Sequence, residues 1–128
     1  MPLEIQIQKR IGNQQAEAVT VRLTGSLDTA TAPELERQLG PVLAGPVKDL
    51  VLDLAQLQFI SSAGLRVFSM ARKRLKERGG QTSFVNMQPQ IQEVFEIIKS
   101  LPGVAVFKDV AELDAYLAAR QRSHEESK

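Results

Sequence analysis

The sequence predicts an α/β fold: one domain with a mixed β-sheet of four to five strands and about four packed α-helices. The length of 128 residues suits a single domain, and a hydrophobic content of 43% is enough for one core. From the second predicted strand onward, short apolar segments alternate with segments of helical period. This alternation is typical of a sheet whose strands are connected by helices packed on its faces.

The first predicted unit is a β-hairpin. Residues 3–8 alternate apolar and polar side chains, as a half-buried strand does, and residues 18–23 are rich in β-branched residues. The sequence Gly-Asn-Gln-Gln at residues 12–15 predicts a turn between these strands. A loop is predicted at residues 24–29, after the second strand.

A helix is predicted to begin near Thr31. Pro33 falls in its first turn, where the missing N–H costs no hydrogen bond. The Gly-Pro pairs at residues 40–41 and 45–46 are expected to fray or end this helix. Residues 50–54 then form a nearly continuous apolar run, which is typical of a central strand covered on both faces.

The second half of the chain continues the alternation. A second helix is predicted from about Ser62 to Arg78, ending at two glycines, and another helix opens at Pro89 with an apolar stripe of helical spacing. The other predicted elements are a strand at 82–86, a turn at 101–103, a strand at 104–107, a helix from Asp109 through Ala119, and a polar, disordered tail at 120–128.

Composition argues against several classes of function. A net charge of +1 with mixed acids and bases disfavours a general nucleic-acid or membrane-surface binder. The chain has no cysteine, no Walker-type loop and no histidine cluster, so we expect no cofactor and no metal. The single histidine, His124, lies in the predicted tail, and we expect no enzymatic activity. Without a signal-like start or a long apolar run, a cytoplasmic protein with no membrane insertion is expected.

The chemically informative segment is the junction between the apolar strand at 50–54 and the second helix. The helix begins with two hydroxyl residues, Ser61 and Ser62. Because the first N–H groups of a helix lack partners within it, a hydroxyl there caps the helix and a phosphate there is stabilised. A phosphate on Ser62 would add about 1.5 to 2 negative charges without unfolding the domain. The small residues Ala63 and Gly64 would let a partner approach, although a plain capping serine with small packing residues is the alternative.

Two motifs together resemble the STAS domain family: Leu-Thr-Gly-Ser-Leu-Asp at residues 23–28 and Phe-Ile-Ser-Ser-Ala-Gly-Leu at residues 59–65. The resemblance covers roughly residues 3–119 and implies a STAS-like sheet. The family's single-domain bacterial members are anti-sigma-factor antagonists. The resemblance implies that the unphosphorylated protein binds an anti-sigma factor that is also a serine kinase with an ATP-binding fold. Phosphorylation by that kinase separates the two, and a serine phosphatase restores binding.

The family pattern around the modified serine reads Asp-Ser-Ser-Gly-Leu or Asp-Ser-Thr-Gly-Leu. Aligned on Gly64, the resemblance places the phosphorylated serine on Ser62. Ser61 then replaces the family's Asp, and Ala63 replaces the second hydroxyl residue. Asp28 matches an acidic loop residue of the family, which implies a partner-binding edge formed by Asp28, Ser61, Ala63 and Gly64. A turn or capping aspartate is the alternative at position 28.

Met70 is a further candidate for partner contact. At about 100° per residue, one stripe of the second helix should face the sheet; its residues are Gly64, Phe68, Ala71 and Leu75. Met70 falls off this stripe among charged residues, so an exposed, partner-binding methionine is expected. Single exposed apolar residues are also normal on protein surfaces.

Two other interpretations compete with a phosphorylated Ser62. Asp53, near the end of the apolar strand, suggests a response-regulator receiver, but residues 8–10, Gln-Lys-Arg, lack the acidic pair that would hold magnesium. The resemblance leaves a second alternative, because STAS domains also serve as accessory subunits of membrane transport ATPases or of stress-signalling scaffolds. In those roles Ser62 would be only a capping or packing residue.

Overall fold

The structure, a computed structural model, describes residues 2–11, 17–100 and 109–126. In these ranges the elements are β1 (Leu3–Ile11), β2 (Glu17–Leu27), α1 (Ala32–Ala44), β3 (Val47–Ile60), α2 (Ser62–Glu77), β4 (Gln81–Val85), α3 (Pro89–Ser100) and α4 (Val110–Glu126). This mixed sheet with its helices confirms the predicted fold class. The predicted turns at 12–15 and 101–103 and the predicted strand at 104–107 lie outside the described residues.

The four strands form one sheet in the order β1-β2-β3-β4 within the described part of the chain. β1 and β2 are the predicted antiparallel hairpin, whereas β2, β3 and β4 run parallel. Leu27 at the end of β2 pairs with Ile60 at the end of β3. Because parallel strands end at the same edge of a sheet, the loop before α1 and the start of α2 lie side by side.

The core is formed by the inner faces of β2 and β3 together with α1 and α2, and α3 and α4 add the buried residues Ile91, Val94, Leu113 and Leu117. The predicted stripe of α2 is confirmed, with buried residues Gly64, Val67, Phe68, Ala71 and Leu75. α1 contributes the buried residues Ala32, Leu35, Leu39, Val42 and Leu43. Hydrophobic burial on this scale is the main force that fixes α2 against the ends of the strands.

Several element boundaries differ from the predictions. β2 continues through the predicted loop to Leu27, and β3 continues to Ile60, because the two pair with register shifts along this stretch. Gly25 makes this course possible: its φ is +108°, and a Cβ atom there would lie 2.1 Å from the carbonyl oxygen of Pro2. α1 passes through Pro41 and ends only at Ala44.

β4 covers only part of the outer edge of β3, since the pairing ends at Asp53 with Val85. Beyond that point, three side chains bond to the backbone of β3, and we call them the glutamine edge: Gln88 to Ala55 O at 2.8 Å, Gln90 to Gln58 O at 3.3 Å, and Gln121 to Ile60 O at 2.8 Å and Ile60 N at 2.9 Å. The glutamine edge satisfies strand groups that would otherwise lack a partner.

The prediction of a disordered tail from Arg120 is wrong for residues 120–126, which continue α4 to Glu126. Gln121 is only 3% exposed, and Arg120 and His124 both bond to the Glu93 carboxylate of α3. His124 and then Arg120 hold the pKa of the Glu93 carboxyl below its ordinary value. The segment looks like a tail in the sequence because polar contacts, which have no hydrophobic periodicity, hold it in place.

Asp53 lies within β3 and is only 9% exposed. Its carboxylate accepts hydrogen bonds from Ala55 N at 3.1 Å, Asn86 Nδ2 at 3.3 Å and Arg22 Nε at 3.3 Å. The Ala55 N–H contributes most to lowering the pKa of Asp53 below its ordinary 3.8, followed by Asn86 and Arg22. These contacts connect β2, β3 and the segment after β4, which explains an aspartate here without receiver chemistry.

We expect Asp53→Asn to lower the free energy of unfolding by about 1–3 kcal/mol at neutral pH, because a charged acceptor of three hydrogen bonds is lost. Because the pKa of Asp53 is lower in the folded state, its ionised carboxylate stabilises the fold at pH values above 3.8, its ordinary pKa. This contribution is lost as the pH falls through the lowered pKa of the folded state. The difference between the variant and the unmodified protein should therefore shrink in acid. Urea unfolding across a pH series measures it, with Asp49→Asn on the same strand as the control; a difference that does not depend on pH would contradict the prediction.

Candidate functional site

The candidate site lies where β3 passes directly into α2. Ser61 is the N-cap, with φ −104° and ψ 175°, so an extended residue joins the strand to the helix without a loop. The Ser61 amide donates to the carbonyl oxygen of Leu27 at 2.9 Å, and Leu65 N donates to Ser61 O at 3.1 Å. The sheet therefore fixes the position of the first turn of α2 and of Ser62 within it.

Gly64 brings this first turn close to the ends of both strands. A Cβ atom there would lie 2.6 Å from Leu27 Cγ and 3.0 Å from Ile60 Cγ1. Gly64 is buried, so the prediction that it contacts a partner is wrong: its small size serves packing inside the domain. Ser61 is 5% exposed, so its side chain is likewise not presented to a partner, and its Oγ has no hydrogen-bond partner among the described residues.

Ser62 is half-buried, and its polar groups contact α4. Its amide donates to Asp114 Oδ1 at 2.8 Å, and its hydroxyl donates to Asp114 Oδ2 at 3.0 Å. A carboxylate from another helix thus occupies the electropositive start of α2, where a capping side chain would normally lie. No pattern in the sequence marks Asp114 as part of this site. It is 52 residues away from Ser62, and no local spacing connects the two.

Asp28 orders the turn that precedes α1, whose N-cap is Thr31. Its carboxylate accepts from the amides of Ala30 and Thr31, both at 3.0 Å, while its own amide donates to Thr31 Oγ1 at 2.9 Å. The alternative of a turn aspartate therefore accounts for the contacts of Asp28. The residue directly follows Leu27, so it lies at the same edge of the sheet as Ser61 and Ser62. A direct contact between Asp28 and a partner stays a prediction.

The surface beside Ser62 is a shallow cleft of about 240 Å³ between α1 and α2, lined by Thr29, Ala32, Pro33, Glu36, Ala63, Arg66 and Val67. Ala63 is half-buried and forms part of this surface. Met70 is only half-exposed, because part of its side chain packs against the core. The prediction of a fully exposed methionine is therefore wrong. Its contact with a partner stays a prediction.

The chemistry of the site is limited by the side chains that the described residues bring together. No set of three or more His, Asp and Glu side chains among them could hold a metal ion. His124 contacts the Glu93 carboxylate of α3. No helix in the described part of the chain is long and apolar enough to cross a membrane. The distinctive chemistry is one hydroxyl in the first turn of a helix, facing a carboxylate.

Comparison with known sequences identifies one family. A model described as the STAS domain matches residues 4–113. BtrV of Bordetella bronchiseptica, to which an anti-sigma factor antagonist role is attributed, is 39% identical over 75 residues, which cover 59% of this chain and 65% of BtrV. The anti-sigma-B factor antagonist of Staphylococcus aureus is 30% identical over 77 residues, which cover 60% of this chain and 71% of that protein. The chain thus spans slightly less than two thirds of BtrV.

Solved structures share the fold. The Bacillus cell fate determinant SpoIIAA in its phosphorylated form superposes with a TM-score of 0.60 and 21% identity, covering 73% of this chain and 82% of SpoIIAA. An anti-sigma factor antagonist from Mycobacterium paratuberculosis superposes with a TM-score of 0.59 and 24% identity, covering 78% and 83% of the two chains. At these identities the likeness establishes the architecture.

Proposed function

The chain belongs to the STAS domain family, and from this membership and the geometry at the start of α2 we propose that it is an anti-sigma-factor antagonist. One observation supports the proposal: Ser62 is half-buried, not buried, and lies in the first turn of a helix whose backbone the sheet fixes. A hydroxyl in this position can receive a phosphoryl group while the domain stays folded, because the phosphate lies beside the N–H groups of the first turn, which have no acceptor within the helix.

The proposed cycle begins with the unphosphorylated chain bound to an anti-sigma factor that is also a serine kinase. The kinase transfers the γ-phosphoryl group of ATP to Ser62 Oγ: the new O–P bond forms, the bond to the ADP leaving group breaks, and the hydroxyl proton is released. The phosphate adds about 1.5 to 2 negative charges at the interface. Because a desolvated, unpaired charge is costly, the complex dissociates. A serine phosphatase hydrolyses the phosphoester and restores binding.

The partner-binding surface would surround Ser62 at the shared edge of the sheet. Asp28 lies on one side, Ala63 follows Ser62 directly, and Met70 lies further along α2. In this role the chain is a binding protein without catalytic activity of its own. The named relatives carry the antagonist role in their names, which favours it over that of an accessory subunit.

Phosphosite mapping tests the proposal. The chain is incubated with ATP and a candidate anti-sigma-factor kinase, chosen as an ATP-binding serine kinase encoded beside its gene, and is analysed by intact mass and peptide mapping. We expect one phosphate per chain, located on Ser62, and none on Ser62→Ala. Ser61 is the internal control, because its hydroxyl is buried. Binding of the kinase without phosphate transfer, or an equal mass gain in Ser62→Ala, would contradict the proposal.

A further inference from the structure

Helix α4 is docked over the proposed phosphorylation site. Its first half reaches Ser62 through the Asp114 carboxylate and buries Leu113 against the core. Its second half is held separately, since Gln121 makes two hydrogen bonds to the backbone of Ile60 and Arg120 bonds to Glu93 of α3. The two halves of α4 therefore have different anchors, and the hydrogen bonds to Ser62 come from the first half.

Asp114 and a phosphate on Ser62 would require the same place. The Asp114 oxygens lie 2.8 Å from the Ser62 amide nitrogen and 3.0 Å from Ser62 Oγ, the atom that would bear the phosphorus. Phosphorylation removes the hydroxyl hydrogen that Asp114 now accepts and replaces this hydrogen bond with repulsion between two anions. The phosphate is also the stronger acceptor for the helix N–H groups, because it carries more charge and is covalently held.

We infer that a phosphoryl group on Ser62 and the docked Asp114 carboxylate exclude each other, so that phosphorylation releases residues 110–116 of α4 from the start of α2. The released segment would uncover Leu113 and the first turn of α2, while the anchors at Gln121 and Glu93 keep the second half of the helix in place. The biological meaning of this inference rests on the proposed function.

The exclusion acts in both directions, because a coupling free energy between two sites is reciprocal. Docked Asp114 holds the Ser62 hydroxyl as a donor to a carboxylate that belongs to the chain itself. A kinase must therefore displace Asp114 before the hydroxyl can align with ATP. Asp114 would act as a positioning residue: it keeps the Ser62 hydroxyl hydrogen-bonded inside the chain until a partner breaks that contact.

The test is amide hydrogen exchange on the free chain, with no kinase or partner present. Ser62→Glu places a fixed anion at the start of α2 and should speed exchange of residues 110–116 by about tenfold or more, the factor that corresponds to ~1.4 kcal/mol of lost docking. Adding Asp114→Asn should restore slow exchange, because the amide carries no charge and can still accept from the Ser62 amide. Glu112→Gln, which removes an exposed charge two residues earlier on α4, is the matched control and should restore nothing.

Exchange in β2 and β3 serves as the internal standard for the fold, and Ser62→Asp is the second variant if Ser62→Glu does not fold. The inference is overturned if residues 110–116 exchange at the unmodified rate in both variants, or if Glu112→Gln restores protection as well as Asp114→Asn does. Because no phosphate transfer is needed, this result is independent of phosphosite mapping. Phosphosite mapping can contradict the proposed function while hydrogen exchange supports the exclusion. The opposite combination of results is equally possible.

Discussion

Ser62→Glu is expected to weaken binding to the anti-sigma-factor kinase by about 100-fold, the scale of a charge left desolvated and unpaired in an interface. Ser62→Ala is expected to bind about as tightly as the unmodified chain. The alanine variant loses only the hydroxyl, and its backbone amide still donates to Asp114. The two variants therefore separate the effect of charge from the effect of losing the serine.

Isothermal titration calorimetry of the two variants against the candidate kinase, without ATP, measures this difference. The matched control is Ser83→Glu, which adds the same charge at an exposed position on β4, where it pairs with the middle of β3. This control should bind like the unmodified chain, since the pairing of β4 with β3 ends at Asp53, before the edge of the sheet that carries Ser62. Equal affinities of Ser62→Ala and Ser62→Glu would contradict the charge mechanism.

Gly64→Ala is expected to lower the free energy of unfolding by about 1–3 kcal/mol, the usual cost of overpacking a well-packed core. The added Cβ would lie 2.6 Å from Leu27 Cγ and 3.0 Å from Ile60 Cγ1. Both neighbours are fully buried, so neither can move freely into solvent. This cost should outweigh the gain of about 1 kcal/mol that alanine has over glycine inside a helix.

Gly40→Ala is the matched control for this stability prediction. Gly40 also lies inside a helix, but a Cβ there meets nothing within 4 Å. Urea unfolding of both variants should show Gly40→Ala close to the unmodified protein, because the helix preference of alanine is opposed by the steric conflict between its Cβ and the ring of Pro41. A loss of stability as large in Gly40→Ala as in Gly64→Ala would show that the tight contact with Leu27 is not the cause.

The parts of the fold that local patterns determine could be predicted from the sequence. The buried stripe of α2 follows from helical spacing alone, and the β1–β2 hairpin follows from alternation and β-branched residues. The end of β3 could not be predicted, because residues 55–60 stay extended through pairing with β2 and through glutamine side chains that come from distant segments.

The sequence predicts the hydroxyl of the candidate site, but it does not predict the residues that surround this hydroxyl. Ser62 is marked by a strand, two serines and a glycine in sequence, whereas Asp114 reaches it from a helix 52 residues further along the chain. Gly64 was assigned to the partner surface because small residues suit both exposure and close packing. Only the positions of Leu27 and Ile60 decide between these two uses.

The glutamine edge has a consequence for how other chains can approach. An unpaired strand edge is a template on which a foreign extended segment can add as an extra strand. Along β3, the carbonyl oxygens of Ala55, Gln58 and Ile60 already accept from side chains of the same molecule. An invading peptide would have to break these internal bonds first, so the edge resists both amyloid-like templating and recognition by β-augmentation.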